Sequence, residues 1–334
     1  MENNSFMEIL EKLKKCKNIA MALHSAPDGD SLGCCAGMKY FLERDLKCKV
    51  KLVSYDFIAE NLNKLDYASE VEFGEDIGDL NLVDYDCVLF LDCGSEKNIL
   101  GKLRENFNLD KAKFVINIDH HESNSYYGNL NYVDVKAPST CSVLVDFFQA
   151  TDVKFDRELS RRLLLGVCTD SGFFEYDSEP EKALKDAVFL IDNGADYLLD
   201  VLRPVLYNQP IRIVKYFGLL FNKLKFDEEL RCGYASISYE EIKKLGLNKA
   251  ETRLGINELQ FIAECDFVFN LIEWEDKIKG SFRSKKEVNV ALFAKEFGGG
   301  GHKFAAAFSL EKMPLEKAEK FVLDKIKIIG IKRD

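Results

Sequence analysis

Short continuous apolar runs and segments of helical periodicity alternate along the first 190 or so residues. Asn18–Leu23, Cys87–Leu91 and Phe114–Ile118 are such runs, the last interrupted only by Asn117. A strand covered on both sheet faces reads as an unbroken apolar run, whereas a half-exposed strand alternates. Cys48–Ser54 is a fourth, less regular candidate. Helical patterns occupy Leu32–Arg44 and Ile99–Asn106. Others run from a cap at Ser139 or Thr140 through Gln149, over Arg157–Leu165, and over Glu181–Ile191 with a stop at Asn193-Gly194. In Met1–Cys16, Phe6, Ile9, Leu10 and Leu13 fall at helical spacing between charges, which predicts an amphipathic helix and not a secretory signal. This alternation predicts an α/β domain built on a parallel sheet with helices on both faces.

The pattern changes over 195–212, where Pro204 and Pro210 mark a connector with some helical character. Beyond it the sequence predicts a helix (Ile211–Leu224), a strand (Arg231–Ser238) and a helix near Leu254–Cys265. A hairpin follows (Asp266–Trp274 and Ile278–Arg283, turning at Glu275-Asp276-Lys277). A helix (Val288–Phe297), four glycines, an apolar run and a helix from Pro314 complete the chain. The expected organisation is a first domain over 1–194, a linker over 195–212 and a smaller α/β domain over 213–334. The length of 334 residues suits two domains, and a hydrophobic fraction of 47% supplies two cores.

Charge narrows the partners. The 46 Lys+Arg against 56 Asp+Glu give a formal net charge of −10, a poor match for long duplex nucleic acid but compatible with a short anion in a local basic pocket. No apolar run reaches the length of a membrane span. The ten cysteines include no C-x-x-C pair, which argues against structural zinc and a disulfide framework, and predicts reduced core thiols in a cytoplasmic protein.

Candidate chemistry gathers around the four histidines, three of which sit where an expected strand ends. The first strand runs into His24-Ser25-Ala26-Pro27-Asp28-Gly29-Asp30, one imidazole and two carboxylates in a bent loop. Asp-Gly-Asp is also a common turn, with Asp30 then capping the following helix. The second strand runs into Asp92-Cys93-Gly94, the third into Asp119-His120-His121. Asp170 lies in the small-residue segment Thr169-Asp170-Ser171-Gly172. Each of these alone is weak. Together they supply oxygen and imidazole donors and no thiolate, enough for six ligands, and three of the clusters fall at the carboxyl edge of the sheet, where open α/β sheets bind ligands. That donor set suits two hard or borderline cations, Mn²⁺ or Mg²⁺, which neutralise charge and activate water in displacement at phosphorus. In the second half, Arg283, the glycine run Gly298, Gly299, Gly300 and Gly301, and His302 offer guanidinium, backbone and imidazole donors to an anion.

The ordered motifs HSAPDGDSLG, LDCG, IDHH, TDSGFF and FRSK…VN…FGGGGHKFAAAF resemble those of the DHH phosphoesterases that carry a DHH-associated C-terminal domain. The resemblance runs over nearly the whole chain and is nearest to the nanoRNase/pAp-phosphatase branch. It implies one cation on His24, Asp28, Asp92 and Asp170 and a second on Asp30, Asp92, His120 and Asp170, most simply Mn²⁺ with Mg²⁺ as the other choice. It implies that His121 faces the scissile phosphate with Asp119 behind it, and that Arg283, Ser284, Gly298–Gly301 and His302 hold the far end of a short nucleotide.

The implied activity is metal-dependent hydrolysis of very short RNA to 5′-mononucleotides and dephosphorylation of 3′-phosphoadenosine 5′-phosphate (pAp). A phosphodiesterase for cyclic dinucleotides or linear pApA is the alternative from the same machinery. A non-catalytic nucleotide sensor ranks third, because no metal-ligand position is lost. The expected partners are short nucleotides and neither long duplex nor membrane; a homodimer is left open.

Overall fold

A computed structural model describes residues 2–99, 109–175, 180–285 and 288–330. The chain forms two compact units, Met1–Asn208 and Gln209–Asp334. The first is built on a six-stranded, wholly parallel sheet of β1 (Asn18–Ala22), β2 (Lys49–Ser54), β3 (Glu72–Phe73), β4 (Cys87–Leu91), β5 (Val115–Asp119) and β6 (Leu130–Val133). The order across it is β3-β2-β1-β4-β5-β6. The chain therefore winds outward from β1 in one direction, then returns to β4 and winds outward in the other. Every residue of β4 and β5 is buried, as their unbroken apolar runs require.

One face of this sheet is covered by α1 (Phe6–Leu13), α2 (Gly29–Arg44), α3 (Thr140–Ala150), α4 (Arg157–Asp170) and α5 (Pro180–Asp192), which share its larger core. The other face packs Ala20, Val53, Val88 and Phe90 against Ile77, Leu82, Ile99 and Leu109, borne largely on short 3₁₀ turns and loops. The helix expected over Ile99–Asn106 lies, but for Ile99, outside the described residues. The expected linker is structured over its first part. Tyr197–Leu202 forms a π-helical turn capped by Asp196, Val201 and Val205 join the first core, and Asp200 accepts from Arg157 at 2.9 Å.

The second unit carries a mixed sheet in the order β11-β12-β10-β9-β8-β7, formed by β7 (Lys225–Asp227), β8 (Cys232–Ile237), β9 (Phe267–Glu273), β10 (Lys277–Ser284), β11 (Gly300–His302) and β12 (Ala305–Glu311). Only β8 and β9 pair in parallel. One face packs the helices Val290–Glu296 and Leu315–Ile329. The other packs Ile211–Asn222 and the turns over 255–261. The helix expected near Leu254–Cys265 breaks into a turn, Gly255–Glu258, and a 3₁₀ turn, Leu259–Phe261. The chain must leave helical geometry there, because Asp266 donates its amide to Arg231 at the start of the β8–β9 pairing. No helix among the described residues is long and apolar enough to cross a membrane.

The α2–α4 contact sets the position of three candidate ligands, Asp28, Asp30 and Asp170, and it is unusually close. A Cβ on Gly33 would lie 2.6 Å from the Arg162 carbonyl oxygen, whereas one on Gly37 would lie 3.0 Å from a Leu163 side-chain methyl. Backbone cannot move aside as a methyl can. Gly33→Ala should therefore destabilise the protein by about 1–3 kcal/mol, lowering Tm by several degrees, and Gly37→Ala by clearly less. Thermal unfolding of the two variants checks this; equal shifts would contradict the close helix approach.

Candidate metal centre

In the strand order β2-β1-β4-β5, the crevice between β1 and β4 is where the winding reverses, and open α/β sheets bind ligands outside the carboxyl ends of such strands. His24 follows β1 by two residues, Asp92 follows β4 directly, and Asp119 ends β5 ahead of His120 and His121. Adjacent strands lie about 4.8 Å apart, so these side chains meet without long reach. Two helix ends complete the group. Asp28 caps α2 and Asp30 lies in its first turn; Asp170 is the last residue of α4. The cap of α2 is thus Asp28, which accepts from the amides of Asp30 and Ser31. Asp30 is released from that duty and points inward.

The donors fall into overlapping groups. His24 Nε2 is 3.3 Å from Asp92 Oδ2 and 3.8 Å from Asp28 Oδ1. His120 Nε2 is 3.3 Å from Asp170 Oδ2 and 3.6 Å from Asp92 Oδ1. His24, Asp28 and Asp92 each bring an atom within 4.8 Å of the others, as do Asp30, His120 and Asp170, and as do Asp92, His120 and His121. The two oxygens of Asp92 thus face different imidazoles. Asp92 sits at φ 56°, in the left-handed region that most side chains avoid; the backbone turns there to aim the carboxylate.

Both imidazoles are locked in one tautomer. His24 Nδ1–H donates to the Ser25 carbonyl at 2.9 Å and His120 Nδ1–H to the Ala137 carbonyl at 3.1 Å. Nε2 is thus the atom directed at the carboxylates in each, and it is the one left to bind a cation once it gives up any proton, as a metal-binding histidine requires. His121 differs. Its Nδ1–H donates to Asp119 Oδ1 at 2.7 Å and the side chain is half exposed. Asp119 is wholly buried and also accepts from the His120 amide and from Asn124 Nδ2.

Sequence reading missed the support behind these groups. Asp30, 1% exposed, accepts from the amides of Thr140 (2.7 Å) and Cys141 (3.0 Å), the first turn of α3, where the helix dipole favours an anion. A Cβ on Gly166 would come within 2.3 Å of Asp30 Oδ1, so only glycine fits opposite it. Thr140 Oγ1 donates to Asp92 Oδ1 at 3.0 Å. Asn124 Nδ2 also donates to Asn117, the one polar break in its strand and the only hint of this network in the sequence.

The electrostatics report crowded negative charge. Burial first, then the charges of Asp92, Asp170 and Asp28, push the Asp30 carboxyl well above the usual range. Burial, reinforced by Asp92 and Asp28 against His120, raises Asp170 to about 7. Burial opposes charge on His24, but Asp28 and Asp92 overcome it and hold the ring protonated to about 11. The hydrogen bond to Asp119 raises His121 to about 9. A cage of oxygens and aimed Nε2 atoms with no sulfur, holding more negative charge than its own donors balance, fits hard divalent cations.

In the second unit, Arg283 on β10 is opposite Ala305 on β12, which is opposite His302 on β11. Ser281, Ala307 and Gly300 form the next row. Directly opposed residues share a face, so Arg283 and His302 flank a shelf of small side chains. Arg283 Nε donates to Asn257 Oδ1 at 3.0 Å. Two expectations need correction. Ser284, next to Arg283 on the strand, turns to the opposite, buried face with Phe282, and its amide donates to the Phe304 carbonyl. The amides of Gly298 and Gly299 close the preceding helix on the carbonyls of Lys295 and Ala294, so they are already engaged. Gly301, at φ 145° and with a Cβ position 2.5 Å from the Ala305 carbonyl, is required by the tight β11–β12 pairing.

Comparison with known proteins finds two domain families in the chain. The model of the DHH family N-terminal domain matches residues 18–168 and that of the DHHA1 domain matches 235–328. A probable bifunctional oligoribonuclease and PAP phosphatase NrnA of Streptococcus mutans is 29% identical over 308 residues, covering 90% of this chain and 92% of that protein. The bifunctional oligoribonuclease and PAP phosphatase NrnA of Thermus thermophilus is 26% identical over 322 residues, covering 96% and 92%. The crystal structure of an exopolyphosphatase-related protein from Bacteroides fragilis superposes with a TM-score of 0.85 over 97% of this chain and 96% of its own, at 21% identity, a likeness of fold. The chain thus carries a DHH family N-terminal domain over 18–168, followed by a DHHA1 domain over 235–328.

Proposed function

We propose that the protein is a metal-dependent phosphoesterase that degrades very short oligoribonucleotides to 5′-mononucleotides and removes the 3′-phosphate of pAp. The observation that carries this is the convergence of His24, Asp28 and Asp92 beside Asp30, His120 and Asp170, with Asp92 within reach of both histidines. The relatives named for oligoribonuclease and PAP phosphatase activity, similar over nine-tenths of the chain, support the substrate class.

His24, Asp28, Asp92 and Asp170 would hold one cation and Asp30, Asp92, His120 and Asp170 the other, Mn²⁺ by preference and Mg²⁺ as substitute. Such a pair supplies positive charge to an in-line attack of water at phosphorus. The protein's own groups do the rest. The buried Asp119 orients His121 through Nδ1 and keeps that ring cationic at neutral pH, so that its Nε2–H can donate to a non-bridging phosphate oxygen as charge develops. Thr140 fixes one oxygen of Asp92, and the first turn of α3 fixes both oxygens of Asp30. Arg283 and His302 offer donors to a terminal phosphate of a short nucleotide.

With Mn²⁺, the protein should turn over di- to pentaribonucleotides and pAp. Asp92→Asn, which keeps the shape and tolerates the left-handed backbone, should lose about a thousandfold or more in rate. A rate within tenfold of the parent would contradict the shared-ligand arrangement. Cyclic di-adenylate hydrolysed faster than all of these substrates would move the assignment to the cyclic-dinucleotide reading. His302→Ala should raise KM for pAp and leave manganese affinity unchanged; a change in metal affinity alone would refute its place at the phosphate. Cation binding should release protons. His24 and Asp170 carry protons in the metal-free protein up to about 11 and about 7, and each must leave before a cation takes its place. Both pKa values are raised, so raising pH from about 6 to about 8 deprotonates Asp170 and lowers the proton concentration that competes for His24, and Mn²⁺ binding strengthens. Calorimetry in buffers of different ionisation enthalpy checks this; a pH-independent affinity with no proton release would contradict it.

A further inference from the structure

The loop that follows β2 carries Phe57, a phenylalanine 76% exposed to solvent. This exposed phenylalanine has a ring partner. Its ring stacks on Phe73 at the end of β3, with centroids 5.8 Å apart and planes 22° from parallel. Phe73 is packed against the first unit's core. The neighbouring residue, Asp56, accepts from the Ala26 amide at 2.8 Å, and its carbonyl accepts from Ser54 Oγ at 2.7 Å. Ala26 lies between His24 and Asp28, in the metal-binding loop itself, at φ 53°. β2 is the immediate neighbour of β1, and β3 of β2. The aromatic pair therefore stands at the carboxyl edge of the sheet, on the flank of the candidate metal centre away from β4 and β5, and its neighbour Asp56 ties this loop to the metal-binding loop through the carboxylate that accepts from the Ala26 amide.

A flat apolar ring backed by a second ring at one face and open at the other, beside a centre suited to phosphate, is the arrangement on which a nucleobase stacks. Two rings offer too little area for a protein interface, which needs about 1,000 Å² or more; they match one base. We propose that Phe57, backed by Phe73, is a specificity-determining platform that stacks the base adjacent to the scissile phosphate, so that the centre selects nucleoside phosphates over phosphoesters lacking a base. This rests on the phosphoesterase reading above and adds the group that recognises the base. Stacking on any base tolerates sequence, so the platform gives a preference for nucleotides without a strong preference among them.

The test compares Phe57→Ala, Phe57→Tyr and the parent on pAp and on di-adenylate with Mn²⁺, and titrates Phe57→Trp with AMP. For the titration, Trp274, the single tryptophan, is replaced by phenylalanine, so that the indole introduced by Phe57→Trp is the sole tryptophan emitter. Phe57→Ala should raise KM about 5- to 100-fold with kcat changed much less. Phe57→Tyr should retain the parent KM, and inhibition by inorganic phosphate should be unchanged in all three. AMP should quench the emission of the introduced indole, while ribose 5-phosphate should not. An unchanged KM in an active Phe57→Ala variant, or emission that responds to AMP and ribose 5-phosphate alike, would overturn the platform. If the parent hydrolyses none of the nucleotides, the phosphoesterase reading fails, and the fluorescence titration still decides whether a base stacks at this position.

Discussion

The first unit depends on holding several carboxylates together out of water. Asp30, Asp92 and Asp119 are each no more than 3% exposed, and an unpartnered charge in such a place costs several kcal/mol. The fold answers with three kinds of partner. Amides of the first turn of α3 bind both oxygens of Asp30, imidazoles face Asp92, and His121 with Asn124 satisfies Asp119. Burial, and after it the charge of the neighbouring carboxylates, still pushes Asp30 and Asp170 upward. Divalent cations are the simplest charge to complete the balance, so in the proposed metal centre the same crowding that would burden a structural cluster would become binding energy.

The geometry that produces this crowding is set far from the centre. Parallel winding that reverses between β1 and β4 brings the ends of β1, β4 and β5 side by side. The close α2–α4 contact at Gly29, Gly33 and Gly166 then brings a helix start and a helix end to the same edge. Asp28 and Asp30 arrive from one, Asp170 from the other. Side chains from five segments therefore meet with no long loop between strand and ligand, which is the precision that an in-line reaction at phosphorus demands.

Much of this was legible in the sequence, for physical reasons. Strands buried on both faces must be continuously apolar, so Cys87–Leu91 declared itself to the residue, and a polar residue ending such a run, as Asp92 does, has to be satisfied by something specific. What stayed hidden were contacts across long separations. Nothing local in Thr140-Cys141 announces that their amides serve Asp30, 110 and 111 residues earlier. In the second unit, Ser284 looked equivalent to Arg283 until the pairing with β9 and β12 fixed which face each side chain takes. The glycine run looked like four free amides until the end of the helix Val290–Glu296 claimed two of them. Phe57 carried no signal in the sequence, because an exposed ring is told from a buried one only by its neighbours.

The proposed chemistry needs a pair of cations sharing Asp92, and the number and spacing of bound ions test that most directly. Equilibrium binding of Mn²⁺ with parallel paramagnetic resonance should find two ions per chain whose spins are coupled, as for ions a few ångströms apart. A single ion at saturation, or two that are magnetically isolated, would contradict it.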